Sequence, residues 1–352
     1  MKILLLQLKR IGDLVLTLPA IAALRQKFPD AQITLVVTRQ CAELLPAITD
    51  VDVGFVARRS FRDVPLFAAI AIRRFDCCID FTQNDRSAIL TLLSGAKKRI
   101  GASRVQLRSE RRARVYNAFA ELRLKEMHTI DYNLALLEPL GITTKSPPLR
   151  LDVPKNARAK AAELLRTAKI EIDPPAPASG AAGNHFVVVV HPGSARAEKF
   201  WEAERWARVI EHAHKDAGMR VVITGGSGRA EQEHIDAIKQ RVGDLVVDLS
   251  GQTDLLTLAA VIECARVLLT VDSAAMHLAA AVGTPQVVLF GPTNPFHWRP
   301  RESPAIILQG ESGVGLTTFV PKQARYSTTQ ISTQAVTNAM DSLPVPATAP
   351  PA

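Results

Sequence analysis

The sequence predicts two α/β domains, each a parallel sheet covered by helices on both faces. Short uninterrupted apolar runs, the signature of strands buried on both sides, alternate with segments of helical period. The alternation halts in a Pro/Ala/Gly-rich stretch after Asp173 and restarts at Phe186. The chain has 352 residues, 47% of them apolar and 22% charged. That is a compact composition, long enough for about two domains of roughly 150 residues.

In the first half, Ile3 to Leu8 reads as a strand and Arg10-Ile11-Gly12-Asp13 as a loop. Leu14, Leu18, Ile21, Ala22 and Leu24 then recur at helical spacing until Phe28-Pro29 stops them. Ile33 to Val37, Val53 to Val56 and Cys77 to Phe81 supply further strands, so residues 1–172 form one domain. Residues 173–184 are a linker, because the run of prolines and alanines cannot continue a helix. Past it come strands at Phe186 to Val190, Val221 to Thr224, Leu245 to Leu249, Val267 to Val271 and Val287 to Phe290. Helices fall around Trp206 to His214, from Ala230, around Leu255 to Cys264 and after Val271. The second domain spans 185–330, a last amphipathic helix spans 331–343, and a Pro/Ala tail, 344–352, is expected to be disordered. Two Rossmann-like halves are expected to face each other.

The balance of charge narrows the partner. The net charge is +9, and Lys97 to Arg114 holds eight basic residues (Lys97, Lys98, Arg99, Arg104, Arg108, Arg111, Arg112, Arg114) against Glu110. Such a block is either a solvated helix face or an attractor of anions. Three Tyr and three Trp in the whole chain are too few for the stacking platforms of single-strand binders, which disfavours nucleic acid. The longest apolar run near membrane character is nine residues, Val64 to Ile72, well short of the roughly 18 of a span. The N-terminal segment reads as a first strand without a cleavage site, so the protein is expected in the cytoplasm. Cys41, Cys77, Cys78 and Cys264 show neither a CxxC pair nor a zinc spacing and read as buried thiols.

Ligands of parallel sheets bind at the carboxyl ends of the strands, and four loops there stand out. In Val271 to Gly283, Asp272 or Ser273 can cap the following helix, whose N-terminus is then a ready anion site with His277 one turn in. Simple capping and a satisfied core histidine are the plainer alternatives. The loop His191-Pro192-Gly193-Ser194 carries small residues and leads to Lys199, a ligand cation or an ordinary surface lysine. Thr224-Gly225-Gly226-Ser227-Gly228 is glycine-rich but is neither GxGxxG nor followed by a P-loop lysine. Gly12-Asp13 is a helix cap or the carrier of a general base. No GxSxG or HExxH occurs, and Asp50-Val51-Asp52 reads as loop acids, so nothing in the residues requires a divalent cation or other cofactor.

Leu8 to Ala20, the segment His191-Pro192-Gly193-Ser194 through Lys199-Phe200-Trp201, Asp248 to Leu255, and Asp272-Ser273 through His277 to Leu289-Phe290-Gly291-Pro292-Thr293 together resemble glycosyltransferase family 9. These are the ADP-heptose:lipopolysaccharide heptosyltransferases, and the spacing after His191-Pro192 is more similar to the third, branch-adding type. The resemblance spans nearly the whole chain and implies the two-domain B-type glycosyltransferase fold, its last helix crossing back to the first domain. It departs at Ala274, where the family has glycine, and this brings a methyl group toward sugar or phosphate.

The resemblance implies an inverting transfer of heptose, without metal, from ADP-heptose to the anionic inner core of lipopolysaccharide. Asp13 would be the base. Ser194, Lys199, Glu231, Asp272, Ser273, Ala274 and His277 would hold the donor, Lys199 and the helix start at Ser273 facing the diphosphate and Glu231 the ribose. Arg58, Arg59, Arg62, Arg108, Arg111 and Arg112 would receive the acceptor and draw the enzyme to the cytoplasmic face of the inner membrane as a peripheral protein. A nucleotide-sugar epimerase of the same fold, using Asp13 and His277, and a non-catalytic basic adaptor are the competing classes. A Rossmann oxidoreductase is disfavoured by the single glycine of the first loop.

Overall fold

The computed structural model describes residues 1–58, 61–122, 124–143, 146–170, 184–301 and 303–343. They divide into two compact units, Met1–Leu149 and Arg150–Ala352. The first is built on a six-stranded sheet of β1 (Lys2–Gln7), β2 (Gln32–Thr38), β3 (Val53–Ala57), β4 (Cys77–Asp80), β5 (Lys98–Ala102) and β6 (Ala118–Ala120). Its order is β3-β2-β1-β4-β5-β6, and every pairing is parallel. The second is built on β7 (Asn184–His191), β8 (Arg220–Ile223), β9 (Val246–Asp248), β10 (Ala265–Val271), β11 (Gln286–Phe290) and β12 (Ala305–Gln309), also six strands. It runs β12-β11-β10-β7-β8-β9, again parallel throughout. Unbroken burial of Ile3 to Leu6 and of Val187 to Val190 is what helices on both faces of a sheet require of its central strand.

Three strands were not expected from the sequence. β5 begins Lys98-Arg99 and has one strong strand former, Ile100, so its charge masks its register position between β4 and β6. β6 is only three residues long. β12 follows the last strand expected, Val287 to Phe290, and pairs with it in parallel. Gly12 and Asp13 are not in a loop but in the short helix Ile11–Val15, where the Leu14 amide donates to the Arg10 carbonyl at 3.1 Å. The loop is therefore only Leu8 to Arg10.

The boundary between units falls after Leu149, ahead of residue 172. The helix Lys155–Thr167 carries its buried stripe, Ala157, Ala161 and Leu165, within the second unit and lies against the helix Leu255–Glu263. Arg158 clasps Glu263 with two bonds of 2.7 and 2.8 Å, and Lys160 reaches Asp254 at 2.9 Å. The helix Thr333–Ser342 likewise spends its apolar face in the second unit rather than returning to the first. Ile331, Ala335, Val336, Ala339, Met340 and Leu343 join the core with Trp201, Trp206 and Leu289. His212 Nε2 meets Asp341 at 3.0 Å, and Trp201 Nε1 donates to the Ile331 carbonyl at 3.1 Å. The expected linker, but for Asn184, and the expected tail lie outside the described residues.

All four cysteines are buried and unbridged, and burial pushes the Cys77 thiol up to about 12. Asp52 takes the Arg25 guanidinium and the Ile33 amide, each at 2.7 Å, which makes it the loop acid expected. Among the described residues no helix is long and apolar enough to cross a membrane.

Candidate active site

The order in which strands are added reverses at the centre of each sheet. From β1 the chain fills one side with β2 and β3 and the other with β4 to β6; from β7 it fills one side with β8 and β9 and the other with β10 to β12. In each unit by itself such a switch point opens a crevice outside the carboxyl ends of two adjacent strands, β1 and β4 in the first and β7 and β10 in the second, and each unit's candidate residues lie at its own.

In the second unit Lys199 follows β7 and Asp272 follows β10, so their contact spans the switch point. Lys199 Nζ donates to Asp272 Oδ2 at 2.6 Å and to the Asp272 carbonyl at 3.1 Å, both side chains being buried. Thr293, after β11, donates its hydroxyl to the same carboxylate oxygen at 2.5 Å. The helix Ala274–Val282 starts beside this pair and ends at Gly283, whose φ of +82° is the left-handed conformation glycine favours. Ser273, at the cap position, does not cap: its hydroxyl is shared with that of Thr270 at 3.1 Å. The first-turn amides thus stay uncapped by any side chain, with Ala274 at the first helical position.

His277 lies one turn further. Burial pushes its pKa down to about 4, against the pull of Asp272 and with Lys199 acting the same way. The ring is therefore neutral at pH 7, and its buried Nδ1 has no hydrogen-bond partner among the described residues. An orphaned polar atom inside a core is costly unless a ligand satisfies it.

Glu231 gathers a second group on the same rim. Its Oε1 stands 3.6 Å from His191 Nε2, and His191 Nδ1 in turn meets the Thr224 hydroxyl at 3.0 Å. A Cβ on Gly193 would fall 2.1 Å from Glu231 Oε1, and one on Gly226 2.9 Å from Oε2, so those glycines let the carboxylate lie flat against both loops. Burial holds the His191 ring below the ordinary histidine range, opposed by Glu231. Ser194 is half exposed in the loop between these two groups.

In the first unit a cavity of about 950 Å³ opens over the carboxyl ends of its strands, with Lys9, Arg10, Arg39, Arg58 and Arg86 facing Asp13 and Glu43. Burial raises the Asp13 pKa against the attraction of Lys9, whose Nζ is 4.0 Å from the carboxylate, and of the Arg10 amide at 3.4 Å. Buried Asp63 pairs with Arg86 and accepts the Arg58 amide at 2.7 Å, which fixes two of the cavity's cations. Asp80 lies fully buried beneath, taking the Thr82 and Gln83 amides at 2.8 Å and the Tyr116 hydroxyl at 2.6 Å. It shapes the turn that presents Asn84 and Arg86.

Arg62, Arg108, Arg111 and Arg112 do not line this cavity. Arg108 and Arg111 are exposed, whereas Arg112 holds the Gln83 carbonyl at 2.9 Å and Asp85 at 3.2 Å. Arg59 lies outside the described residues. The site residues that motif reading missed are Lys9, Arg10, Arg39, Arg86 and Thr293. Each follows a strand of a parallel sheet, a signal available once every strand end is searched and not only those with a motif.

The chain matches the model of glycosyltransferase family 9 (heptosyltransferase) over residues 65–315. It is 27% identical over 300 residues to lipopolysaccharide heptosyltransferase 3 of Escherichia coli K12, covering 82% of each chain. Among solved structures, a glycosyl transferase family 9 protein from Veillonella parvula superposes with a TM-score of 0.81 at 23% identity, over 97% of this chain and 96% of that one. The ADP-heptose lps heptosyltransferase II of E. coli does so with a TM-score of 0.76 at 20% identity, over 97% and 98%. These structural likenesses give the fold, the B-type glycosyltransferase architecture of two Rossmann-like units.

Proposed function

The chain belongs to glycosyltransferase family 9, and from that premise we propose that it moves heptose from an ADP-heptose donor to the inner core of lipopolysaccharide, with inversion and without a metal. The observation that carries the donor reading is the buried Lys199–Asp272 pair beside an uncapped helix N-terminus at the second unit's switch point. A buried ammonium and first-turn amides together suit a diphosphate, and the neutral His277 with its unpaired Nδ1 suits a sugar or phosphate oxygen. Glu231, flat against Gly193 and Gly226, offers carboxylate oxygens to ribose hydroxyls, with Ser194 and Ala274 lining the approach.

In the transfer an acceptor hydroxyl oxygen bonds to the anomeric carbon. The bond from that carbon to the diphosphate breaks, its electron pair leaving with ADP, and the hydroxyl proton passes to Asp13. Lys9, Arg10, Arg39, Arg58 and Arg86 give the first unit's cavity the charge to receive an anionic core. Catalysis at the cytoplasmic face of the inner membrane follows from an acceptor carried on lipid.

A thermal-shift panel of ADP-, UDP-, GDP- and CMP-sugars tests the donor. At about 100 times its dissociation constant a ligand adds about 2.7 kcal/mol, so ADP-heptose should raise the melting temperature by several degrees and the other bases should not. A shift with UDP-sugars alone would favour the epimerase reading. Because Lys199 and the helix terminus face the leaving diphosphate, turnover should persist in excess EDTA. Loss that Mg²⁺ restores would send the search back to the acids around Asp50. Arg108→Glu with Arg111→Glu should leave ADP-sugar binding unchanged yet reduce use of a lipid-borne acceptor, the loss shrinking as salt rises, since both groups are exposed. Arg112 is left intact because it braces Gln83 and Asp85.

A further inference from the structure

We propose that the outer face of two neighbouring helices in the first unit, Val64–Arg73 and Asp85–Leu93, docks on an anionic lipid bilayer. The first helix buries Leu66 and Ile70 and exposes Val64, Pro65, Ala68, Ala71 and Ile72, a stripe at helical spacing without one polar side chain. The second buries Ala88 and Leu90 and exposes Ile89, Leu92 and Leu93. Ile72 is 81% exposed, Val64 63%, Leu92 62% and Ile89 52%. The helices pack on one another, so the two stripes form neighbouring parts of one surface.

A surface helix facing water carries its charge outward, as Lys155–Thr167 does with Lys155, Lys160, Glu163 and Arg166. Here the outward side chains of both helices are apolar except Asp85, in the first turn of the second. Contiguous apolar surface of this kind marks an interaction site. Its nine-residue core, Val64 to Ile72, is too short to span a bilayer, and a short helix with an apolar outer face bordered by cations is suited to lie in the headgroup layer instead.

The charges decide the occupant. Exposed Arg62 precedes the first helix, exposed Arg74 follows it and exposed Lys97 follows the second, whereas Arg73 lies over the Phe55 ring and Lys98 donates to the Pro139 carbonyl. The acid at the start of the second helix, Asp85, is held by Arg112 at 3.2 Å, and Asp76 accepts the Lys2 amide at 2.8 Å. Long basic side chains at helix ends keep their heads in the headgroup layer while the apolar stripe inserts, and an anionic leaflet complements them. A second copy of the same face would set like charges against each other.

The proposal rests on the reading above only for its purpose, bringing the enzyme to a lipid-borne acceptor, and its test needs neither donor nor acceptor. Full-length protein is sedimented with vesicles of phosphatidylglycerol and phosphatidylethanolamine, and with phosphatidylcholine alone. Wild type should bind the anionic vesicles and bind phosphatidylcholine at least about tenfold more weakly. Ile72→Glu with Leu92→Glu should weaken anionic-vesicle binding at least about tenfold with an unchanged melting temperature, and Ile72→Ser alone should weaken it less. On a delipidated, water-soluble acceptor the double variant should turn over as wild type does. Failure of wild type to bind, or undiminished binding by the variants, overturns the docking face while leaving the transferase reading standing. Light scattering that shows a dimer dissolved by the same substitutions also overturns it, assigning the face to a second copy. A vesicle-binding protein that fails to turn over any ADP-sugar would overturn the transferase reading alone.

Discussion

Asp13→Asn should lower turnover by at least about a hundredfold while donor affinity stays near wild type, the scale of a lost general base. Asparagine keeps the side chain's shape and can still reach the Arg10 amide, so the helix start at Ile11 should survive. The pH profile sharpens the test. Burial raises the Asp13 pKa above the usual carboxylate range, with Lys9 opposing. A base works when deprotonated, so kcat/KM should reach a plateau above that raised pKa and fall about tenfold per pH unit below it. Lys9→Met removes the opposing charge and should move this acid limb to higher pH. Near-normal turnover in Asp13→Asn, with the fold intact, would take Asp13 out of the chemistry.

Lys199→Ala should cost the second unit on two counts. It strips a cation from the proposed diphosphate site, and it leaves the Asp272 carboxylate buried with Thr293 alone. Removing one member of a buried pair typically destabilises by about 3–5 kcal/mol, far more than an exposed pair is worth. The expected result is weaker ADP-sugar binding, little sensitive to salt, together with a marked fall in urea midpoint. Lys199→Met combined with Asp272→Asn separates the two effects. Without a stranded charge the double variant should regain most of the stability and none of the donor affinity. If it regains both, Lys199 is a structural partner of Asp272 and the diphosphate site lies elsewhere.

The second unit was more legible in the sequence than the first, for a physical reason. The residues proposed to hold the donor sit in short loops or the first turn of a helix after strongly apolar strands, so Lys199, Asp272 and His277 are framed by β7, β10 and the helix Ala274–Val282. In the first unit the cavity's cations follow strands individually, one or two per loop, and no local pattern distinguishes Arg39 or Arg86 from surface arginines. The Lys97 to Arg114 block is the conspicuous concentration of charge in the sequence, yet Arg99 serves the Ala96 and Val115 carbonyls and Arg112 serves Gln83. Local pattern also cannot say where a helix spends its apolar face. Lys155–Thr167 and Thr333–Ser342 were legible as helices, but only tertiary packing assigns both to the second unit.

That assignment has a consequence for how the chain acquires its structure during synthesis. The first sheet needs nothing beyond residue 120, so it can be complete while the second is still being made. The second is closed only by late arrivals: central β7 pairs with β10, some eighty positions on, and Ile331, Val336 and Met340 finish a core begun by Val188 and Trp206. Distant pairings of this kind close slowly, and until the final helix docks, apolar side chains of β11 and β12 are uncovered. The second unit is therefore where a nascent chain is most exposed to aggregation, and where a chaperone would find its binding site.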